Sequence, residues 1–351
     1  MKLWQYIIRR LVILIPTIIG LTFIVFVLSH SGGTNLVLAE YLNPHLPASA
    51  RQAEIQKLIQ EFHLNQPVYI QYFYWLAAVL QGDLGYTNTP IYSGPVTHAI
   101  ELFMPNTIML SVLASIMVWL IGIPLGVWSA VRRDGVLDQS TRVGALTLYS
   151  MPVYLVAFSL VIIFGVYLRV LPFSGTANLL LVQNVSWYQG GISYPTHILI
   201  IDALLHGNYI VALSALEHLI LPALSLALGS LAAFIRLLRS QMLDVLGQDF
   251  IRFVYSKGVP EKDIITIHAR RNAIIVPLTN FVYLVAGLLG GVVVIESIFN
   301  IPGIGYWTTQ ALLNNDVGGI MGSTLIFGIT LVIASLIIDI LYALIDPRIR
   351  Y

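Results

Sequence analysis

Six stretches of this sequence are apolar over roughly 20 residues or more, the length that an α-helix needs to cross a bilayer. They lie at about residues 6–28, 106–130, 141–168, 212–237, 274–295 and 320–344. The chain is 57% hydrophobic and 10% charged, whereas a soluble domain is about 25% charged. The pattern predicts an all-α integral membrane protein with six transmembrane helices.

The positions of lysine and arginine orient these predicted spans. Of the 18 basic residues, all except Arg51, Lys57 and Arg169 fall on one side of the membrane if the N-terminus is inside. Cytoplasmic loops carry an excess of Lys and Arg, so we expect a multi-pass protein of the cell (cytoplasmic) membrane with both termini cytoplasmic. The first apolar stretch is too long for a signal-peptide core and lacks an A-x-A-like cleavage site, which favours a retained helix.

Composition and motifs exclude several classes of function. Cysteine is absent, which excludes disulfides and thiol chemistry, and a net charge of +1 gives no footprint for nucleic acid. None of the four lysines follows a glycine, so the chain has no phosphate-binding loop of the GxxxxGK[ST] type. The histidines form no HxxxH or HExxH pair. We therefore expect no catalytic, cofactor or metal site, and no ATPase activity of its own.

The predicted organisation has three parts. Residues 1–30 form the first transmembrane helix, residues 31–105 an external helical subdomain, and residues 106–351 a five-helix core. Within the subdomain, Ser49 precedes an amphipathic pattern typical of a capped helix. A second helix, rich in Tyr and Trp, suits a membrane–water interface.

A charged run at residues 244–277 interrupts the apolar pattern between the fourth and fifth spans. Each ion at bilayer depth is costly, which places this run in a cytoplasmic loop. Phe250, Phe253 and Val254 form an apolar stripe at helical spacing. Gly258 and Pro260 are helix stop signals, and Gly258 is expected to need a positive φ. The run predicts two short amphipathic helices joined by a glycine turn.

The same run resembles the coupling loop of ABC-transporter permeases of the binding-protein-dependent peptide/nickel (oligopeptide/dipeptide) family. The matching residues are Asp249, Phe250, Arg252, Lys257, Gly258, His268, Ala269, Arg271, Asn272, Ala273 and Pro277. The sequence differs at residues 253–255, Phe-Val-Tyr, where small residues are usual, and at residues 29–34, where a PGDP-like segment is common. Segments along the whole chain, from YIIRRLVILIP to YALIDPRIRY, are similar to the family.

The resemblance implies a subunit that forms half of a translocation pathway. Its partners would be a second homologous permease, two cytoplasmic ABC ATPase subunits that bind ATP and Mg, an external solute-binding protein and the lipid membrane. The residues implied to dock the ATPase are Asp249, Phe250, Arg252, Tyr255, Ser256, Lys257, Gly258, Val259, Pro260 and Glu261, within a coupling loop at residues 244–273.

The carboxylates in or near the spans are Glu101, Glu296 and Asp339, and none is expected at the midplane. A stand-alone secondary carrier or channel, the alternative from a different class, would be expected to bury several such groups. Glu296, followed by Phe299, Pro302 and Gly303, is a candidate for the pathway or outer gate, because Pro302 and Gly303 demand an irregular backbone. Peptides are the favoured substrate. Oligosaccharides and nickel remain alternatives.

Overall fold

A computed structural model describes residues 3–30, 47–61, 63–189 and 191–345. The elements of the first third are α1 (Leu3–His30), α2 (Ala48–Glu61), α3 (Val68–Leu80), β1 (Tyr86–Thr89), β2 (Tyr92–Pro95) and α4 (Val96–Val131). The middle holds α5 (Val136–Ser150), α6 (Val153–Leu160), the π-helix π1 (Val161–Tyr167), α7 (Leu179–Val182), β3 (Tyr188–Gln189), β4 (Ile192–Ser193), α8 (Leu199–Leu205) and α9 (Tyr209–Leu246). The last third holds α10 (Asp249–Ser256), α11 (Glu261–Asp263), the π-helix π2 (Ile264–Ala269), α12 (Arg270–Ala273), α13 (Ile275–Phe299), α14 (Ile304–Leu313) and α15 (Val317–Ile345).

Three helices of the described ranges are long and apolar enough to cross a membrane: α4, α9 and residues Val317–Ile337 of α15. The pair formed by α5 and Val153–Tyr167 reaches the same standard as one bent span. Helices α1 and α13 cover the first and fifth predicted spans. The mainly helical membrane architecture is confirmed, whereas the count of six spans stays a prediction.

The third predicted span is not one straight helix. Between α5 and Val153–Tyr167 the chain bends by 112°. Met151 ends α5 in an extended conformation (φ −86°, ψ 132°) directly before Pro152. A proline ring clashes with the backbone of a preceding helical residue, which drives that residue out of the α region. The predicted span at residues 141–168 is therefore divided into two helices at Pro152.

The predicted external subdomain contains more than helices. Strands β1 and β2 form an antiparallel hairpin in which Tyr86 pairs with Pro95 and Thr89 with Tyr92. Helix α4 begins at Val96, directly after this hairpin and ten residues before the span predicted from residue 106. Residues 31–46, where the subdomain was predicted to begin, lie outside the described residues. The three-part division of the chain stays a prediction.

The chain has two compact units. The first is built mainly from Ile108–Ile301 and the second from Ile8–Thr107 with Pro302–Ile333. Helix α9 is the centre of the first unit, and the residues of this unit's main core include Leu221, Leu226, Phe234, Leu238, Met242 and Ile295.

Helix α4 approaches α9 closely through two glycines. A Cβ atom at Gly122 would lie 2.6 Å from a ring carbon of Phe234, and one at Gly126 would lie 2.9 Å from the Leu238 side chain. Glycine spaced four residues apart lets helix backbones approach. The GxxxG spacing of the sequence thus packs a helix pair.

The second unit is held by buried polar contacts. The Tyr72 hydroxyl donates to the Ile19 carbonyl at 3.0 Å and lies 2.9 Å from Thr22 Oγ1. The Thr87 hydroxyl donates to the Asp316 carboxylate, which also accepts the Asn88 N–H at 3.0 Å. A buried polar group without a partner is costly, so these bonds stabilise α3 and the hairpin in their places.

Candidate functional site: the knob at residues 249–273

The first helix of the charged loop, α10, begins where the sequence predicts. Gln248 precedes it in an extended conformation, and the Gln248 carbonyl accepts the N–H of Ile251 at 3.1 Å. Asp249 stands in the first turn, where a negative charge is favoured by the helix dipole. Its carboxylate pairs with the Arg252 guanidinium at 3.3 Å on the open surface.

Gly258 turns the chain out of α10. Its φ is +74°, as the sequence predicts, and its N–H donates to the Tyr255 carbonyl at 3.0 Å. A Cβ added at Gly258 would meet nothing within 4 Å. Glycine is therefore required by the backbone angle and not by lack of space.

The second helix of the loop is α11, π2 and α12 in succession, from Glu261 to Ala273. Pro260 precedes it, and the Pro260 carbonyl accepts the Asp263 N–H at 2.9 Å. Ile264, Ala269 and Ala273 are fully buried in the main core of the first unit. We call residues 249–273, two helices around the Gly258 turn, the knob.

Helix α10 packs inward through Ile251 and Val254. Ile251 has 1% of its surface exposed, and Val254 packs partly against the same core. Of the apolar stripe predicted from the sequence, Phe250 and Phe253 are 38% and 60% exposed. The stripe therefore divides between the core, which Val254 contacts, and the surface of α10, where the two phenylalanines lie.

The outward surface of α10 is aromatic and basic. Phe250, Phe253 and Tyr255 are exposed, and the Lys257 ammonium lies 4.5 Å from the centre of the Phe253 ring. Ser256 donates to the Phe253 carbonyl at 2.8 Å. Val259 is half-buried against the core, while Pro260 and Glu261 are exposed. The chain thus exposes large aromatic groups on a segment held by buried residues.

The candidate residues for the outer gate lie at the end of α13 and beyond it. Glu296 and Phe299 are buried in the first unit, and Phe299 belongs to its apolar core. Asn300 ends α13 in the left-handed conformation (φ 52°, ψ 44°), and its N–H donates to the Glu296 carbonyl. The predicted break in the helix is present at this point.

Pro302 and Gly303 belong to the second unit. The Pro302 carbonyl accepts a hydrogen bond from the Asn106 side-chain amide at 2.9 Å. Gly303 precedes α14, and its carbonyl accepts the Trp307 N–H at 3.0 Å. The irregular backbone ends at Gly303, because the next helix, α14, begins at Ile304. That these residues line a pathway stays a prediction.

A cavity of about 690 Å³ in the first unit was not foreseen. It lies along α5 and α9, with Arg142 and Tyr149 on the first helix and Arg236, Arg239 and Ser240 on the second. Arg239 forms two hydrogen bonds with the buried Asp138, at 2.6 and 2.7 Å. The only signal in the sequence was an arginine pair, Arg236 and Arg239, at one end of an apolar span.

These features define the class of protein: a helical membrane protein with several candidate spans and a charged, two-helix loop between two long apolar helices. The family model described as "Binding-protein-dependent transport system inner membrane component" matches residues 122–351, and the chain belongs to this family. The resemblance inferred from the charged loop is confirmed.

Individual relatives match along almost the whole chain. A probable D,D-dipeptide transport system permease protein of Escherichia coli (strain K12) is 33% identical over 353 residues, which cover 99% of this chain and 98% of the relative. A dipeptide transport system permease protein of the same strain is 32% identical over 357 residues and 99% of both chains. An oligopeptide transport system permease protein of Bacillus subtilis (strain 168) is 33% identical over 349 residues and 99% of both chains.

Proposed function

We propose that this chain is the permease subunit of an ATP-driven importer and forms half of a translocation pathway for peptides. The family description makes it a component of a binding-protein-dependent system. The similar proteins named above are permeases for dipeptides, D,D-dipeptides and oligopeptides. These names favour peptides over oligosaccharides or nickel, and a permease subunit over a stand-alone carrier.

The observation that carries the proposal is the knob. Exposed aromatic residues next to a cation are typical of the energetic centre of a protein–protein interface. A short helix that presents such a face fits a groove on a partner. We assign this surface to a cytoplasmic ATPase subunit, which supplies the ATP and Mg that this chain has no motif to bind. Asp249, Arg252 and Lys257 form the charged rim of the contact.

The burial of the knob indicates how force would pass into the membrane. Ile251 and Ile264 belong to the same apolar core as Leu238 of α9 and Ile295 of α13. Close-packed interiors transmit displacement because they compress little. A push on α10 would therefore move these two helices as well. Such coupling also requires that ATP-bound ATPase prefers one of the permease's two conformations.

The full assembly in this proposal has a second homologous permease, two ATPase subunits and an external solute-binding protein. The chain lies in the cell membrane with both termini cytoplasmic, as the distribution of Lys and Arg favours. Glu296, Phe299, Pro302 and Gly303 are proposed pathway or outer-gate residues, supported by the break in the helix after Phe299.

Uptake measurements test the proposal. In cells whose only importer of this family consists of this chain and its transport partners, labelled di- and tripeptides should accumulate in an ATP-dependent way. Excess unlabelled peptide should compete, whereas oligosaccharide and nickel should not. Peptide accumulation that continues after removal of the ATPase genes would instead identify a stand-alone carrier. Competition by sugar or nickel alone would change the substrate class.

A further inference from the structure

The cavity between α5 and α9 carries an excess of positive charge. Arg142, Arg236 and Arg239 line it, and no acidic side chain is among the described residues that form its wall. Arg239 is neutralised by Asp138, which lies behind the wall and is fully buried. A volume of about 690 Å³ falls in the range of small-molecule sites. The cavity is therefore large enough for a ligand and has two further cations.

These two cations have no counter-ion within the described chain. Neither Arg142 nor Arg236 forms an ion pair there. The Arg236 guanidinium lies 4.9 Å from the centre of the Tyr149 ring, an aromatic face that orients the group. Arg142 and Arg236 are both exposed, and both line the cavity. The cavity therefore presents two cations that an anionic solute could pair with.

Helix α5 exposes both polar and apolar side chains. Ser140, Arg142, Thr147 and Ser150 are exposed, as are Val143, Leu146 and Tyr149. The three hydroxyls donate to carbonyls four residues earlier at 2.8, 3.0 and 2.9 Å, which satisfies them within the helix. The wall between the arginines also offers Gln139, Thr141 and Ser240. These neutral groups suit the amides of an extended, polar solute.

The ion pair behind the wall fixes its shape. Asp138 accepts hydrogen bonds from Arg239, from the Ser129 hydroxyl at 2.6 Å and from the Asp134 N–H at 3.0 Å. This contact ties the start of α5 to α9 and to the end of α4. The positions of Arg142 on α5 and Arg236 on α9 are thereby fixed with respect to each other.

We propose that this cavity binds the free carboxylate of a peptide in transit, with the Arg142 and Arg236 guanidinium groups as donors. Guanidinium groups bind carboxylates through paired, charge-assisted hydrogen bonds. Arg142 and Arg236 are thus specificity-determining residues for solutes with a carboxyl end. The inference rests on the proposed function, because it takes a peptide as the solute.

Thiol labelling measures the charge of the cavity directly. The natural chain has no cysteine, so Ser240→Cys gives a single thiol in the cavity wall of the full-length chain in nanodiscs. The thiol is reacted with a negatively charged and, separately, with a positively charged methanethiosulfonate. The rate for each reagent is divided by the rate at which the same reagent modifies a free thiol in solution, and the ratio of these two normalised rates, negative over positive, reports the charge of the cavity. The negative reagent should react faster, and Arg236→Gln should lower the ratio of the two rates by roughly tenfold.

Control variants separate charge from structure. Arg133→Gln removes an exposed charge of the preceding loop that does not line the cavity, and it should leave the ratio unchanged. Arg236→Lys keeps the charge and should retain most of the ratio, which a misfolded protein would not. Arg142→Gln should also lower it. An unreactive thiol, or a ratio that is the same with and without Arg236, would overturn the proposal.

Protection experiments identify the anion. Dialanine should slow the labelling of Ser240→Cys, and dialanine amide, which lacks the carboxylate, should not. The effect should be the same in nanodiscs of phosphatidylcholine and of phosphatidylglycerol. Protection by phosphatidylglycerol without any effect of dialanine would make the cavity a lipid phosphate site and overturn the proposal, as would protection by neither. If either of these two negative results is found while ATP-dependent peptide uptake is normal, the carboxylate site is rejected but the proposed function of the chain as a peptide permease is not.

Discussion

The buried ion pair of Asp138 and Arg239 should make a large contribution to the stability of the first unit. Asp138 has no exposed surface, and the side chain of Arg239 is 18% exposed. Asp138→Ala would leave a mostly buried guanidinium and the Ser129 hydroxyl without their acceptor. Removal of one partner of a buried pair typically costs about 3–5 kcal/mol. We expect that loss for each single variant.

A double-mutant cycle isolates the pair itself. The double variant Asp138→Ala/Arg239→Ala leaves no charge unpaired, so it should lose far less than the sum of the two single losses. We expect a coupling energy of about 2 kcal/mol or more. The matched control is the exposed pair of Arg133 and Asp134, with side chains 68% and 69% exposed, for which the coupling should stay below about 1 kcal/mol.

Reversible denaturation in mixed micelles gives the four free energies of unfolding that each cycle needs. A second readout is the labelling ratio of the Ser240→Cys thiol, because the pair also holds the cavity wall. Additive losses at Asp138 and Arg239, with a coupling no larger than that of the exposed control pair, would refute the structural role assigned to this contact.

Two further predictions concern the knob and the orientation of the chain. Gly258→Val should strain the turn by about 1–2 kcal/mol, because φ is +74°, and should therefore weaken ATPase binding about 5- to 30-fold. Gly258→Asn is the control, because asparagine tolerates this angle, and it should bind almost normally. Equal binding by both variants would contradict the strain argument. In intact cells, a cysteine in place of Lys57 should react with an impermeant thiol reagent, whereas a cysteine in place of Lys257 should not. The reverse pattern would show that the chain has the opposite orientation in the membrane.

Much of the helical architecture could be predicted from the sequence. Apolar length indicates a membrane helix with little ambiguity, because a bilayer requires about 20 residues. Local chemistry was also informative: the left-handed turn at Gly258 follows from a glycine placed after a helix and before Pro260. In contrast, the 112° bend before Val153 was missed. Helix α5 is less apolar than α6, and the restriction on the residue before Pro152 is a further local signal of the break.

The candidate site also has some features that local sequence determines and others that depend on the packing of distant helices. The position and turn of the knob could be predicted because they depend on local sequence. The choice of Ile251 over Phe250 and Phe253 as the buried residue depends on the packing surface offered by distant helices. The pairing of Asp138 with Arg239, residues about a hundred positions apart, likewise depends on how α5 and α9 pack. A single sequence holds no direct signal for such a contact.

Charge reversal on the knob tests the central claim most directly. Arg252 and Arg133 are well-matched cations: each side chain is exposed, at 76% and 68%, and each pairs with a nearby aspartate at 3.3 Å. The measurement is the affinity of the ATPase subunits for purified Arg252→Glu and Arg133→Glu. If the knob docks the ATPase, Arg252→Glu should bind at least about tenfold more weakly, whereas Arg133→Glu should bind normally. Normal binding by Arg252→Glu, or an equal loss in both variants, would contradict the assignment of residues 249–261 as the ATPase-docking surface.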